Sequence, residues 1–95
     1  MNEHQIKVDE LIRELGGYWN PFEMLAALTE EVGELADEIL KFEGVKGSGD
    51  IQTLEEELGD VAFALACIAN HYGVDLIEAL DKTAKKYRQR DGNKW

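Results

Sequence analysis

Asn20-Pro21-Phe22-Glu23-Met24-Leu25-Ala26-Ala27-Leu28-Thr29-Glu30-Glu31-Val32-Gly33-Glu34-Leu35 holds both the start of a helix and half of a candidate site. Asn20 suits an N-cap, Pro21 suits the first helical position, and Glu23 completes a capping box. Leu25, Leu28, Val32, Leu35 and Ile39 then recur at helical spacing, which predicts a helix running to about Glu43-Gly44. Within it, Glu30 to Glu34 reads E-E-x-x-E. Residues three or four apart lie on one side of a helix, so Glu31 and Glu34 stack their carboxylates on one face.

The same logic extends in both directions. Ile6, Leu11, Ile12 and Leu15 predict an earlier helix from about Glu3 to Leu15, ending at Gly16-Gly17. Residues Gly44 to Gln52 hold three glycines and a serine and read as a loop. Thr53-Leu54-Glu55-Glu56 resembles a capping box for a third helix, whose stripe is Leu54, Leu58, Val61, Leu65 and Ile68 and whose end is Tyr72-Gly73. Asp75-Leu76-Ile77-Glu78 opens a fourth, running to about Arg90. No segment alternates with period two. The expectation is one all-α domain over residues 1–95, a four-helix bundle.

The third helix is apolar all round from Val61 to Ala69. Such a helix is buried on every side, and three short helices can hardly surround it. A homo-oligomer with this helix near the interface is expected, which is also a common remedy for the limited core of a 95-residue chain.

The net charge of −10 argues against a nucleic-acid polymer as partner, because such binders carry a basic footprint. The longest apolar run is far short of the roughly 20 residues of a membrane helix. Met1-Asn2-Glu3-His4 has no signal-peptide character. Cys67, the single cysteine, reads as a buried thiol in a reducing cytosol. The charge is uneven: eleven of twenty acids fall between Glu30 and Asp60, and five of ten basic residues between Lys82 and Arg90. That polarity suits a cation held by one element and an anionic substrate steadied by another.

The third helix carries Glu57-Leu58-Gly59-Asp60, an E-x-x-D. At about 100° per residue, Glu31 and Glu34 lie roughly 70° and 130° from the centre of their apolar stripe, and Glu57 and Asp60 lie roughly 60° and 120° from theirs, with the same sense. Packed antiparallel, the two flanks fall on one side of the pair. Four converging carboxylates make the oxygen cage that a hard cation such as Mg²⁺ requires. Glu30 points further out and belongs to the rim. The expected helix ends leave an offset of the order of 10 Å for the loop to absorb. Gly33 and Gly59 sit inside the two motifs and read equally as a close approach of backbone or ligand or as incidental. No E-x-x-H or EF-hand pattern offers another metal chemistry.

These residues resemble the MazG-type all-α nucleoside triphosphate pyrophosphohydrolases, in their short stand-alone form. The resemblance rests on Tyr18 to Pro21 with Leu25 to Ala36, on Glu56 to Val61, and on Gly73 to Leu76 with Lys85 to Asp91. It implies Mg²⁺-dependent hydrolysis of a nucleoside triphosphate between its α and β phosphates, with Mn²⁺ as a substitute ion. It implies Glu31, Glu34, Glu57 and Asp60 as metal ligands, Glu30 as the group that orients or deprotonates water, Lys86 and Arg90 as phosphate contacts, and a dimer or tetramer. Trp19 is a candidate for stacking on the base, although its place before the N-cap suits a hydrophobic staple on Met24. Asn70 and Tyr87 are candidates for a base pocket and fit bundle packing equally. The competing readings are a helical interaction module whose acids decorate a surface, and a narrower dUTP or dCTP pyrophosphatase.

Overall fold

Four helices account for most of the chain in the computed structural model, which describes residues 1–91, Asp91 by its backbone alone. They are α1 (Glu3–Glu14), α2 (Pro21–Phe42), α3 (Ile51–His71) and α4 (Leu76–Asp91), and the described residues contain no strand. The all-α expectation holds.

The start of α2 follows its sequence. Asn20 accepts from the Glu23 N–H at 2.9 Å, and the Glu23 carboxylate reaches back to the Asn20 N–H at 3.4 Å. The start of α3 does not. Asp50, not Thr53, is the N-cap: its carboxylate accepts from the Thr53 N–H at 2.8 Å, so the helix begins three residues earlier than the Thr53 box suggested. A carboxylate accepts strongly from helix N–H groups and favours the positive end of the helix dipole. Thr53 therefore becomes the receiver of a cap and not its source. At the start of α4 the Asp75 carboxylate accepts from the Glu78 N–H at 3.0 Å, as its position predicted.

The early start of α3 also resolves the stagger. Glu34 lies eight residues before the end of α2, and Glu57 lies six residues after the start of α3. The remaining offset is about 3 Å, which the loop from Glu43 to Asp50 spans easily. Gly49 folds back against the end of α2, where a Cβ would stand 3.1 Å from Lys41 and from the Phe42 backbone nitrogen. Only glycine fits there without a shift. The α2–α3 pair is the most extensive helix packing in the chain, α1 lies on α3, and α4 meets α3 lightly, bent from it by 104°. No single helix among the described residues is long and apolar enough to cross a membrane.

The interior is small. Met24, Ala66, Cys67 and Ala69 are its buried apolar residues. On α1 the expected apolar side is not the buried one: Ile6, Leu11 and Leu15 are exposed, and the most buried side chain is Gln5, at 2%. On α2 the predicted stripe positions Leu25, Val32 and Ile39 are also exposed, Leu25 to 58%. On α3, Ala66, Cys67 and Ala69 are buried while Leu58, Phe63 and Leu65 remain open. The periodicity marks where apolar side chains lie along the helices, but one copy of the chain covers only part of them.

Candidate active site

The packing of α2 against α3 brings the two acidic motifs together. Carboxylate oxygens of Glu31, Glu57 and Asp60 all lie within 4.8 Å of one another. Glu31 and Glu57 are half-buried and Asp60 is exposed. Burial pushes the Glu31 carboxyl above its ordinary range, and the charges of Glu34, Asp60 and Glu57 push it further. Burial raises Glu57 as well, followed by the charges of Glu34, Asp60 and Glu38. Glu34 thus presses on both, although it stays exposed at the margin of the trio. Glu30 is exposed and outside it.

Neighbouring acids are treated differently. Lys41 sits 3.1 Å from Asp37 and 3.3 Å from Glu38, and Lys46 bonds Asp37 as well. Asp37 and Glu38 follow Glu34 along the same helix. Lys41 one helical turn on was the available signal that they are neutralised. Among the described residues no Lys or Arg pairs with Glu31, Glu34, Glu57 or Asp60.

The fit to a cation rests on two atoms. Glu31 Oε2 and Glu57 Oε2 are buried and have no hydrogen-bond partner among the described residues. Buried polar atoms are nearly always satisfied, and an orphan calls for an explanation. Two orphaned carboxylate oxygens beside a third carboxylate, with only oxygen donors at hand, fit a hard divalent ion.

Two of the trio border a cleft of about 420 Å³. Glu31 and Asp60 stand at its polar end. Tyr18, Trp19, Met24, Phe63 and Cys67 line much of the rest. A pocket of this size, mostly apolar with a few polar groups at one end, is of the usual dimensions for a small ligand. Trp19 and Met24 both border it. Trp19 is 62% exposed. Burial raises the Cys67 thiol above its ordinary value, so the thiol is protonated at neutral pH.

The other candidates lie elsewhere. Lys86 and Arg90 border a separate, shallow concavity on α4 with Lys82 and Lys85. Both cations stack on Tyr87, at 4.9 Å and 4.7 Å from its ring centre. A single chain does not bring them to the carboxylates. Asn70 does not line the cleft: its amide bonds Gln5 and the Tyr18 hydroxyl, one layer behind the wall. Gln5 was missed altogether, because a lone glutamine in an amphipathic pattern reads as solvent-facing. Gly33 and Gly59 leave open space, with nothing within 4 Å of a built Cβ, so no close backbone approach within the chain requires them.

Comparison with known proteins identifies the family and the fold. The model of the MazG nucleotide pyrophosphohydrolase domain matches residues 20–95. The chain is 41% identical over 99 residues to the protein YpjD of Bacillus subtilis (strain 168), covering all of this chain and 89% of that one. The crystal structure of a Bacillus-conserved MazG protein, a nucleotide pyrophosphohydrolase, superposes with a TM-score of 0.80 at 39% identity, over 96% of this chain and 92% of that chain. The crystal structure of the B. subtilis putative pyrophosphatase YpjD gives 0.80 at 42% identity, over 90% and 91%. With the match spanning most of the chain and the paired acidic helices in the same fold, this protein belongs to the MazG family of nucleotide pyrophosphohydrolases, enzymes that hydrolyse nucleotide phosphoanhydrides.

Proposed function

We propose that this chain hydrolyses ribo- or deoxyribonucleoside triphosphates between the α and β phosphates, releasing the monophosphate and pyrophosphate, in a Mg²⁺-dependent reaction that clears unwanted nucleotides from the pool. The observation that carries this reading is the pair of orphaned oxygens, Glu31 Oε2 and Glu57 Oε2, in a carboxylate trio of which Glu31 and Asp60 line a nucleoside-sized cleft.

Glu31, Glu34, Glu57 and Asp60 would hold the ion. When bound, it supplies charge neutralisation and Lewis acidity at the phosphates. The remaining work belongs to the chain. Phosphoryl chemistry needs positioning and charge stabilisation more than covalent help. The apolar walls hold the nucleoside so that its α-phosphate lies at the carboxylates. Glu30, one residue from Glu31, accepts the proton of the attacking water at its carboxylate. Lys86 and Arg90 offset charge developing on the leaving pyrophosphate. Because both lie outside the cleft of a single chain, they serve it in a homo-oligomer. The exposed apolar side chains Leu25, Val32 and Ile39 on α2 and Leu65 on α3 support such an assembly. The free Cys67 thiol suits the reducing cytosol.

The test is pyrophosphate release from a panel of ribo- and deoxyribonucleoside triphosphates, with and without Mg²⁺, for the wild type and Glu57→Gln. The expected outcome is equimolar monophosphate and pyrophosphate that needs Mg²⁺ and is lost in the variant. Release of single phosphates would replace the reading with a phosphatase. No turnover and no Mg²⁺ binding would replace it with a helical interaction module.

A further inference from the structure

Behind the cleft wall, hydrogen bonds link α1, α3 and the start of α4. The Gln5 amide is fully used. Its Nε2 donates to the Val74 carbonyl and to Asn70 Oδ1, each at 2.8 Å. Its Oε1 accepts from the Leu76 N–H at 2.7 Å and from Asn2 Nδ2 at 2.6 Å. Asn70 Nδ2 donates to the Gln5 carbonyl at 3.0 Å and to the Tyr18 hydroxyl at 3.1 Å. Both amide orientations are forced. A backbone carbonyl only accepts and a backbone N–H only donates, so neither side chain can be turned over. The Tyr18 hydroxyl, accepting from Asn70, directs its own proton to Asp9, whose other oxygen is held by Arg13 at 2.9 Å.

This directional chain ends on a residue of the cleft. Tyr18 lines the wall, whereas Asn70 does not. Tyr18 also follows Gly16 and Gly17, both at positive φ, +115° and +104°. The two hydroxyl bonds, one with Asn70 and one with Asp9, tie the ring of this half-buried residue to α3 and α1. Those bonds commit the hydroxyl to protein, leaving the ring surface, and not an O–H, for a ligand.

We infer that Asn70 is a positioning residue for the nucleoside end of the cleft, acting through Tyr18. The inference rests on the proposed nucleotide reading of that cleft. Asn70 sets affinity for the nucleoside portion and leaves the carboxylate end, where the phosphates react, untouched. Tyr18 is accordingly a shape and stacking surface, selective for flat rings and not for one pattern of donors and acceptors.

The experiment measures KM and kcat with Mg²⁺ for wild type, Asn70→Ala, Tyr18→Phe and the double variant, on the best triphosphate of the panel. Mg²⁺-tripolyphosphate, which has phosphates and no base, serves as competitive inhibitor. Asn70→Ala is expected to raise KM by about fivefold to tenfold, the loss of one hydrogen bond's worth of ordering. Its kcat is expected to stay within about twofold, with tripolyphosphate inhibition unchanged. Tyr18→Phe raises KM to a similar degree, and the double variant is no worse than Asn70→Ala, because both break one connection. KM unchanged in Tyr18→Phe overturns the inference, and that variant decides alone should Asn70→Ala fail to fold. Equal losses of nucleotide and tripolyphosphate binding, or a fall in kcat with KM constant, also overturn it. Failure of the wild type to hydrolyse any triphosphate counts against the proposed function. Calorimetric titration with nucleoside monophosphates then decides the inference, and equal affinities for wild type and Asn70→Ala overturn it.

Discussion

The two ends of α3 bury polar groups in opposite ways. Near His71, Asn70 joins Gln5, Tyr18 and the start of α4 in a network that uses both nitrogens and both oxygens of the two amides. Near Ile51, Glu57 meets Glu31 and Asp60, and two of their buried oxygens have no partner. A satisfied network stabilises and specifies a fold. An unsatisfied cluster of like charge weakens it, and persists where something outside the chain completes it. The contrast separates a part of α3 whose polar groups are satisfied within the chain from a part whose polar groups are not.

The most severe test of that contrast is Glu31→Gln combined with Glu57→Gln. Activity should fall by a hundredfold or more, on the order of what loss of a direct electrostatic or ligand group costs. The metal-free Tm should stay level or rise, because like charges are removed. A large drop in Tm would show the cluster to be structural and break the comparison.

At the other end, Gln5→Leu removes an amide whose partners, the Leu76 N–H and the Val74 carbonyl, are then stranded. A cost of about 3 kcal/mol is expected, since each stranded buried group costs about 1–3 kcal/mol. Thermal unfolding followed by circular dichroism should show Tm lower by roughly 10–20 °C. Little change in Tm would mean that water satisfies these groups and that the network is not what joins α1 to α4.

The two regions also carry opposite pH signatures in metal-free protein. Glu31 and Glu57 have folded-state pKa values above the ordinary 4.5. The folded form therefore holds extra protons, and their contribution is intact below pH 4.5 and lost as pH rises through the raised values. Asp75, lowered from 3.8 by the Glu78 N–H and by Asn2, works the other way. Its contribution is present above pH 3.8 and is lost as pH falls through the lowered value. Tm against pH should thus decline on the acid side, less so in Asp75→Asn, and decline again as pH rises above 4.5. Saturating Mg²⁺ should abolish the second decline, adding about 2.7 kcal/mol at a hundred times Kd. A second decline that persists in Glu57→Gln would assign it to other groups.

The smallest expected effect concerns the glycines at the acidic end. Gly33 and Gly59 occupy helix interiors with open space around them. Alanine at either should raise stability by up to about 1 kcal/mol, seen as a few degrees in Tm. A fall instead would mean that an assembled oligomer packs a neighbour against that space.

Much of this molecule was legible before folding. Helix number, the Asn20 capping box and the Gly44 to Asp50 connection are local, set by one turn of chain and its own side chains. Glu31, Glu57 and Asp60 were also legible, because helical period and an antiparallel neighbour are enough to align two flanks. Asp50 against Thr53 was not, since two adjacent capping candidates compete and geometry selects between them. Nor was the division of the acids into those neutralised by Lys41 and Lys46 and those left bare.

Sequence by itself therefore determined which residues form helices and which faces are apolar or acidic, because periodicity is a property of the chain alone. Only the tertiary structure decided which polar groups find partners. It turned Gln5, a surface residue by pattern, into the most buried side chain, moved Asn70 behind Tyr18, and kept Lys86 and Arg90 apart from the carboxylates. Hydrogen bonds between residues some seventy positions apart depend on how helices meet, and no local pattern encodes that.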